Sequence, residues 1–336
     1  MHSYTKFGKQ NGHSIQWALV AFLLALTSPA SGGNGPWTLG DGDISMYGEA
    51  QYQQWQRAAG ATGEVMSIGN RVLLTRLNAG FSYGLLPRLE IEGKLGLAIS
   101  TTSDPSLGPC AELSCKSLIG LLPIEAKLKW QILDEISGPP ISLAIAATTR
   151  MGAHTAGDRH RITSYGEGTT DFGGLLSIGR TGGLGSIGYA IWADVQYRHR
   201  VPVGIPPAAD APESETGTIP ADEIVVVTDW MLLATNQISF GPTLDFLYRI
   251  DGTTLAEMSP LQRDSIASLH AKVLKVGAKT GIRSSNNTAI NIAFLYTVYA
   301  RNNPSDLFLL SIGVSGFKPK KKTVDSSSDL GSVTDG

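Results

Sequence analysis

Apolar and polar residues alternate from 89 to 100: Leu89, Ile91, Leu95, Leu97 and Ile99 fall on one side, and Glu90, Glu92, Lys94, Gly96, Ala98 and Ser100 on the other. Successive side chains of a β-strand point to opposite faces, so this period of two predicts a strand with one apolar and one polar side. Positions 124–132 repeat it, with Ile124, Ala126, Leu128, Trp130 and Ile132 against Glu125, Lys127, Lys129 and Gln131. Positions 141–151 do so again, with Ser142, Ala144, Ala146, Thr148 and Arg150 on the polar side, and further copies lie at 187–197, 238–248, 274–282 and 290–300. About twelve such segments run along the chain, near 44–55, 71–83, 89–100, 120–132, 140–151, 171–180, 186–199, 224–234, 238–249, 271–283, 288–301 and 306–317. Most have the ~10 residues that a tilted strand needs to cross a bilayer.

The connections sort into two kinds. Short ones at 84–87, 134–139, 181–185, 235–237 and 284–287 alternate with long polar ones at 56–70, 101–119, 152–170, 200–223 and 250–270. Outer-membrane barrels have this asymmetry, with short periplasmic turns and long outer loops. Only the last outer connection, 302–305, is short. An even strand number leaves both termini on the periplasmic side.

A secreted β-sandwich would alternate too, but its polar face would carry long, solvated charges. Here that face includes Gly80, Gly96, Gly188, Gly241, Gly277, Gly281 and Gly313, which suit an enclosed lumen. Aromatics near strand ends on the apolar face (Phe81, Tyr83, Trp130, Tyr189, Tyr197, Phe240, Tyr248 and Phe308) match interfacial girdles. Composition agrees: 17% of residues are charged, against about 25% in soluble domains. Lys+Arg 27 against Asp+Glu 29, with no long basic stripe, argues against a nucleic-acid partner. Beyond the first 30 residues no apolar run approaches the ~20 residues of a spanning helix.

The organisation expected is a signal peptide at 1–32, a periplasmic segment at 33–43, a transmembrane barrel at 44–317 and a disordered periplasmic tail at 318–336. The signal rests on Lys6 and Lys9, an apolar stretch at 18–26 too short to span a membrane, and the small residues Ser28 and Ala30 before a cleavage point. In an exported chain the two cysteines, Cys110 and Cys115, read as one loop-closing disulfide; no further metal ligands stand beside them. The tail is rich in Lys, Ser and Asp and cannot pack a core.

Chemistry is sought on the polar face. The lumen-lining candidates are Glu90, Glu92, Lys94, Glu125, Lys127, Lys129, Arg150, Asp194, Arg198, Asp245, Arg249, Lys275, Lys279 and Arg283, with bases outnumbering acids. Facing charges set pore selectivity, so one expectation is a preference for anionic or amphipathic solutes; the other is internal ion pairing that fills and stabilises the barrel. Gly183, Gly185 and Gly188 match a dinucleotide-binding spacing, but Ile187, Tyr189, Ile191 and Val195 continue at period two where that site needs a helix, so they read as a tight turn. His154, Asp158, His160 and Ser164 in one long loop leave open a rim hydrolase acting on lipid, although no spacing demands it. A structural or adhesive barrel is a third reading. No catalytic, cofactor or metal residues are assigned, and no cofactor is expected.

Three stretches carry a family likeness. Gly166-Glu167-Gly168-Thr169-Thr170-Asp171-Phe172-Gly173 resembles the G-x-G-x-x-D stretch of Gram-negative outer-membrane "transporter" or phenol meta-pathway-like barrels, loosely grouped with fatty-acid channel-type barrels. The segment Phe81-Ser82-Tyr83-Gly84-Leu85-Leu86-Pro87-Arg88-Leu89 is similar to their aromatic hairpin turn, and Gly35-Pro36-Trp37-Thr38-Leu39 to their N-terminal segment. The resemblance spans most of the chain as architecture and implies a channel for small, hydrophobic solutes; it names no substrate residue. Phe308, Leu310, Ile312 and Val314 with a closing Phe317 resemble the last strand by which the barrel-assembly machinery recognises its clients.

The expected protein is therefore an all-β transmembrane antiparallel β-barrel of the bacterial outer membrane, in contact with outer-membrane lipid and passing small solutes. Unboiled and boiled samples of the outer-membrane fraction should migrate differently on a denaturing gel. Identical migration, or recovery from the soluble periplasm, would remove the barrel.

Overall fold

In lipid no water is at hand for a bare backbone amide, so strands cross a membrane only when their hydrogen-bonding edges close on one another. The computed structural model describes residues 35–60, 62–103, 117–151, 169–184, 187–202, 221–250, 270–284 and 287–319, and shows that closure. The strands are β1 (Ile44–Ala59), β2 (Val65–Leu86), β3 (Leu89–Thr102), β4 (Ser117–Leu121), β5 (Ile124–Leu133), β6 (Ser142–Met151), β7 (Thr169–Leu184), β8 (Ile187–Pro202), β9 (Asp222–Leu233), β10 (Ile238–Ile250), β11 (Lys272–Arg283), β12 (Thr288–Arg301), β13 (Asn303–Pro304) and β14 (Phe308–Lys318).

Neighbouring strands pair antiparallel in chain order apart from β4 and β13, and β1 closes the ring by pairing with both β2 and β14, from Ile44↔Lys318 to Gln54↔Phe308. Strands β4 and β5 both lie against β3 and form a single wall position, interrupted at Pro123, which has no N–H to give the ladder. The two-residue β13 only extends the edge of β1 at Ala58 and Ala59. The wall is thus a closed antiparallel ring of twelve strands, as the alternation predicts.

The burial pattern is inverted relative to a soluble protein. The largest fully buried side chains include Arg200, Lys129, Glu90, Asp171 and Asp229, whereas Ile119 (67%), Leu95 (59%), Trp130 (53%) and Trp230 (54%) are exposed on the outside. An outward apolar surface wrapping the ring, with charge inside, is the arrangement of a barrel whose solvent is lipid.

One end of the ring carries short turns, the end that faces the periplasm in such barrels. Pro87 and Arg88 turn β2 into β3. Between β5 and β6, Asp134 caps a single 3-10 turn (Glu135–Ser137) by accepting from the Ile136 N–H, and Gly138 at φ 122° ends it. Glu135 then ties this turn to β7, its carboxylate accepting the Thr181 N–H at 2.9 Å. The signal segment 1–32, Cys110 and Cys115, and residues 320–336 of the tail lie outside the described residues.

Placing a charge on the middle of the lipid face should cost stability without changing the topology. Leu176→Arg, at an outward position of β7, should lower unfolding stability by about 2–4 kcal/mol, as a midplane arginine does in barrels of this kind. Urea titration in lipid vesicles measures it.

Candidate functional site

The interior is built where inward positions of the strands meet the segment ahead of β1. Residues 35–43 run across the short-turn mouth of the ring. The Gly35 N–H donates to Asp194 Oδ2 on β8 at 3.1 Å, Thr38 gives both its N–H (3.3 Å) and its hydroxyl (2.9 Å) to Gln131 Oε1 on β5, and the Leu39 N–H donates to Glu90 Oε2 on β3 at 2.7 Å. The Gly42 N–H then reaches the Gly84 carbonyl of β2 at 2.8 Å. Trp37 stacks edge-on against Trp192, centroids 5.9 Å apart. Glycine is required where the segment touches the wall: a Cβ on Gly84 would stand 1.9 Å from the Gly40 carbonyl oxygen, and one on Gly179 would stand 2.9 Å from Pro36.

Above this segment, register brings charges face to face. Glu90, Glu92 and Lys94 on β3 lie directly opposite Lys129, Lys127 and Glu125 on β5. The ion pairs follow: Lys129–Glu90 at 3.4 Å, Lys129–Glu92 at 3.5 Å, Lys127–Glu92 at 2.6 Å and Lys94–Glu125 at 3.3 Å. On the far side Lys275 meets Asp245 at 2.9 Å, and Lys279 of β11 reaches over β10 to Asp229 of β9 at 2.7 Å. That reach is possible because the β10 residue opposite Lys279 is Gly241.

Towards the loop end the interior has two different walls. On β6–β10, Arg150 meets Asp171 at 2.9 Å, Arg200 lies 3.8 Å from Asp171 and 3.2 Å from Glu223, and Glu223 also takes Arg198 at 3.4 Å and Arg249 at 2.9 Å. On β1–β3, half a turn around the ring, the inward side chains are apolar: Trp55, Val72, Leu74 and Ala98 cluster with Leu307, flanked by Leu122 and Leu309. Between these levels lies a cavity of about 280 Å³, lined by Tyr47, Glu92, Lys94, Glu125, Lys127, Thr148, Arg150, Asp171, Asp194, Gln196 and Arg198 among others.

Of the fourteen side chains singled out in the sequence, most take part in these interior contacts. Asp194 does so through Gly35 and the Ser177 hydroxyl. Arg283 stands exposed at the short-turn end of β11. Asp171, Arg200, Glu223 and Asp229 are not among the sequence candidates; Arg200 and Glu223 fall in 200–223, expected as a loop, whereas β8 continues to Pro202 and β9 begins at Asp222. The signal was present: Arg198 and Arg200 share the parity of Asp194, so extending the alternation of β8 by two residues would have found the second arginine. The apolar cluster was missed for the opposite reason, because Val72 and Leu74 break the polar parity of β2. His154, Asp158, His160 and Ser164 lie outside the described residues.

These features define a bacterial outer-membrane β-barrel with a narrow, charge-paired interior. Among solved structures it is similar to the COG4313 outer membrane channel from Pseudomonas putida F1, with a TM-score of 0.59 at 13% identity, over 86% of this chain and 100% of that one. It also aligns with the beta domain of the Bordetella autotransporter BrkA (TM-score 0.46, 11% identity, 82% of this chain and 99% of that one) and with a mutant of TodX, a monoaromatic hydrocarbon channel (TM-score 0.39, 11% identity, 87% and 96%). At those two scores the likeness is that of one barrel to another. No protein-family model matches the chain, and no curated protein matches it at a significant level.

Glu223 is 3% exposed and gathers three guanidinium groups. Removing one partner of a buried pair leaves charge uncompensated, so Glu223→Ala should cost about 3–5 kcal/mol. Asp245→Ala, at a wetter pair, should cost far less. Equal losses in urea unfolding would show that Glu223 does not organise the cluster.

Proposed function

We propose that the protein is a passive outer-membrane channel for small amphipathic solutes, those with an apolar body and an anionic or polar group. The two-walled interior at the loop end carries this reading. One side there is apolar (Trp55, Val72 and Leu74), and on the other Arg150, Arg198, Arg200 and Arg249 outnumber Asp171 and Glu223, so that side carries net positive charge. Arg200 and Arg249 are buried against Glu223, while Arg150 and Arg198 keep 21% and 23% of their side chains accessible. An anionic group is therefore drawn to the arginine side, and an apolar body gains by leaving water against the other.

The charge pairs on β3–β5 and β9–β11 favour this over a wide anion pore. A ring of one sign draws ions through, whereas pairs matched across strands present little net field to an ion and narrow the passage. The segment at 35–43 supports the same view, since it stands across the short-turn mouth and narrows it. Passage is by diffusion, with no chemical step.

Vesicles containing the protein should take up hexanesulfonate, which stays anionic and does not leak through lipid, faster than glucose. Val72→Glu should slow that uptake, and removal of residues 33–43 should raise single-channel conductance several-fold in planar bilayers. Glucose entering as fast as hexanesulfonate, or uptake no greater than in protein-free vesicles, would overturn the proposal.

A further inference from the structure

A guanidinium on the lipid face of a barrel is costly unless it has an anionic partner. Arg180 of β7 is such a group. It shares outward parity with Phe172, Leu176 and Ile178, and it is exposed. Among the described residues the other charged outward side chains stand at the loop end of their strands, as Arg71, His199 and Lys272 do, or at a terminus, as Lys318 does. Among the described residues Arg180 is the outward charge that lies within a strand beside its short-turn end. Ile178, Ile191 and Trp230 flank it, the Glu135 carboxylate is held on the N–H of the following Thr181, and Arg180 itself forms no ion pair with a described residue.

Its level is set by register. The neighbouring Gly179 pairs with Ser142, the first residue of β6, so Arg180 lies where the β5–β6 turn leaves the wall. Across the ladders Arg180 faces Ile191, and Ile191 faces Trp230. Tryptophan and tyrosine favour the headgroup level, and Trp230 together with Tyr189 marks that level here.

Beside Trp230 the wall is dented. Pro242 has no N–H, and the β9–β10 pairing passes from Phe240↔Leu232 to Thr243↔Asp229 without a pair at Pro242. An outward groove of about 720 Å³ results, lined by Ile178, Ile191, Ala193, Trp230, Leu232 and Pro242, with Arg180 at its edge.

We propose that this groove holds one glycerophospholipid of the inner leaflet. Its phosphate is gripped by the Arg180 guanidinium, whose planar fork matches phosphate oxygens, and one acyl chain lies along the groove towards Pro242. Charge complementarity selects the occupant: the groove alone would take any apolar chain, but a guanidinium at headgroup level that no described carboxylate pairs, the nearby Glu135 being held by Thr181, calls for the phosphate.

The test is native mass spectrometry of the full-length, delipidated protein titrated with palmitoyl-oleoyl phosphatidylethanolamine. One retained adduct is expected. Arg180→Gln should weaken it at least about tenfold, the effect of losing a charge-assisted hydrogen bond, and the diacylglycerol with the same chains should bind comparably weakly to the unaltered protein. Ala193→Trp, which fills the groove from a lipid-facing position and keeps Arg180, should also abolish the adduct; it decides the matter if Arg180→Gln does not fold. Undiminished binding in either folded variant, equal binding of the diacylglycerol, or displacement of the adduct by hexanesulfonate would overturn the proposal. None of these readouts depends on transport.

Discussion

Everything in this molecule follows from the need to satisfy backbone hydrogen bonds where no water is present. A β-strand in lipid has two unpaired edges, and the only arrangement that removes them all is a ring. Pairing of β1 with β14 over eleven residue pairs removes the last edge. Closure then dictates the side-chain rule: one parity must face lipid and the other the interior. Inward charges that stand opposite one another on adjacent strands are then close enough to pair, as Glu92 and Lys127 do at 2.6 Å.

Those pairs have a double effect. Each buried charge would be expensive alone, and the partner across the ladder offsets that cost. The same pairing occupies the lumen, so stability and the width of the interior are set by the same side chains. Only at the loop end does the interior separate into an apolar wall and an arginine-rich wall.

The sequence made the wall legible because a period of two has a simple cause. Most strands are readable to within a few residues, apart from the break at Pro123, the two-residue β13 and the stretch 56–70, expected as a long loop. There β1 continues to Ala59 and β2 begins at Val65, because polar residues such as Arg57 and Ser67 pair across the ladder past the last clear alternation. The interior was legible only by parity: Glu90, Lys129 and Arg249 follow from it, and so would Arg200 had the alternation been extended. Which charges meet was not readable, because Lys279 and Asp229 are neighbours only through the curvature of three strands and a glycine between them. Nor was the placement of 35–43, whose hydrogen bonds to Asp194, Gln131 and Glu90 depend on a ring already closed around it. The lipid-facing Arg180 breaks the outward apolar parity of its strand, yet its setting depends on the dent at Pro242 three strands away.

The segment at 35–43 also has a mechanical consequence. It is fastened to β2, β3 and β5 at one side of the ring and to β8 at the other. A thin closed sheet resists stretching along its hydrogen bonds far more than it resists being squashed into an oval. A strut across one rim, spanning less than half of the ring, stiffens that rim against this soft deformation and leaves the other rim unbraced. The short-turn mouth is therefore held closer to a fixed outline, while the loop-end mouth keeps more freedom to change shape.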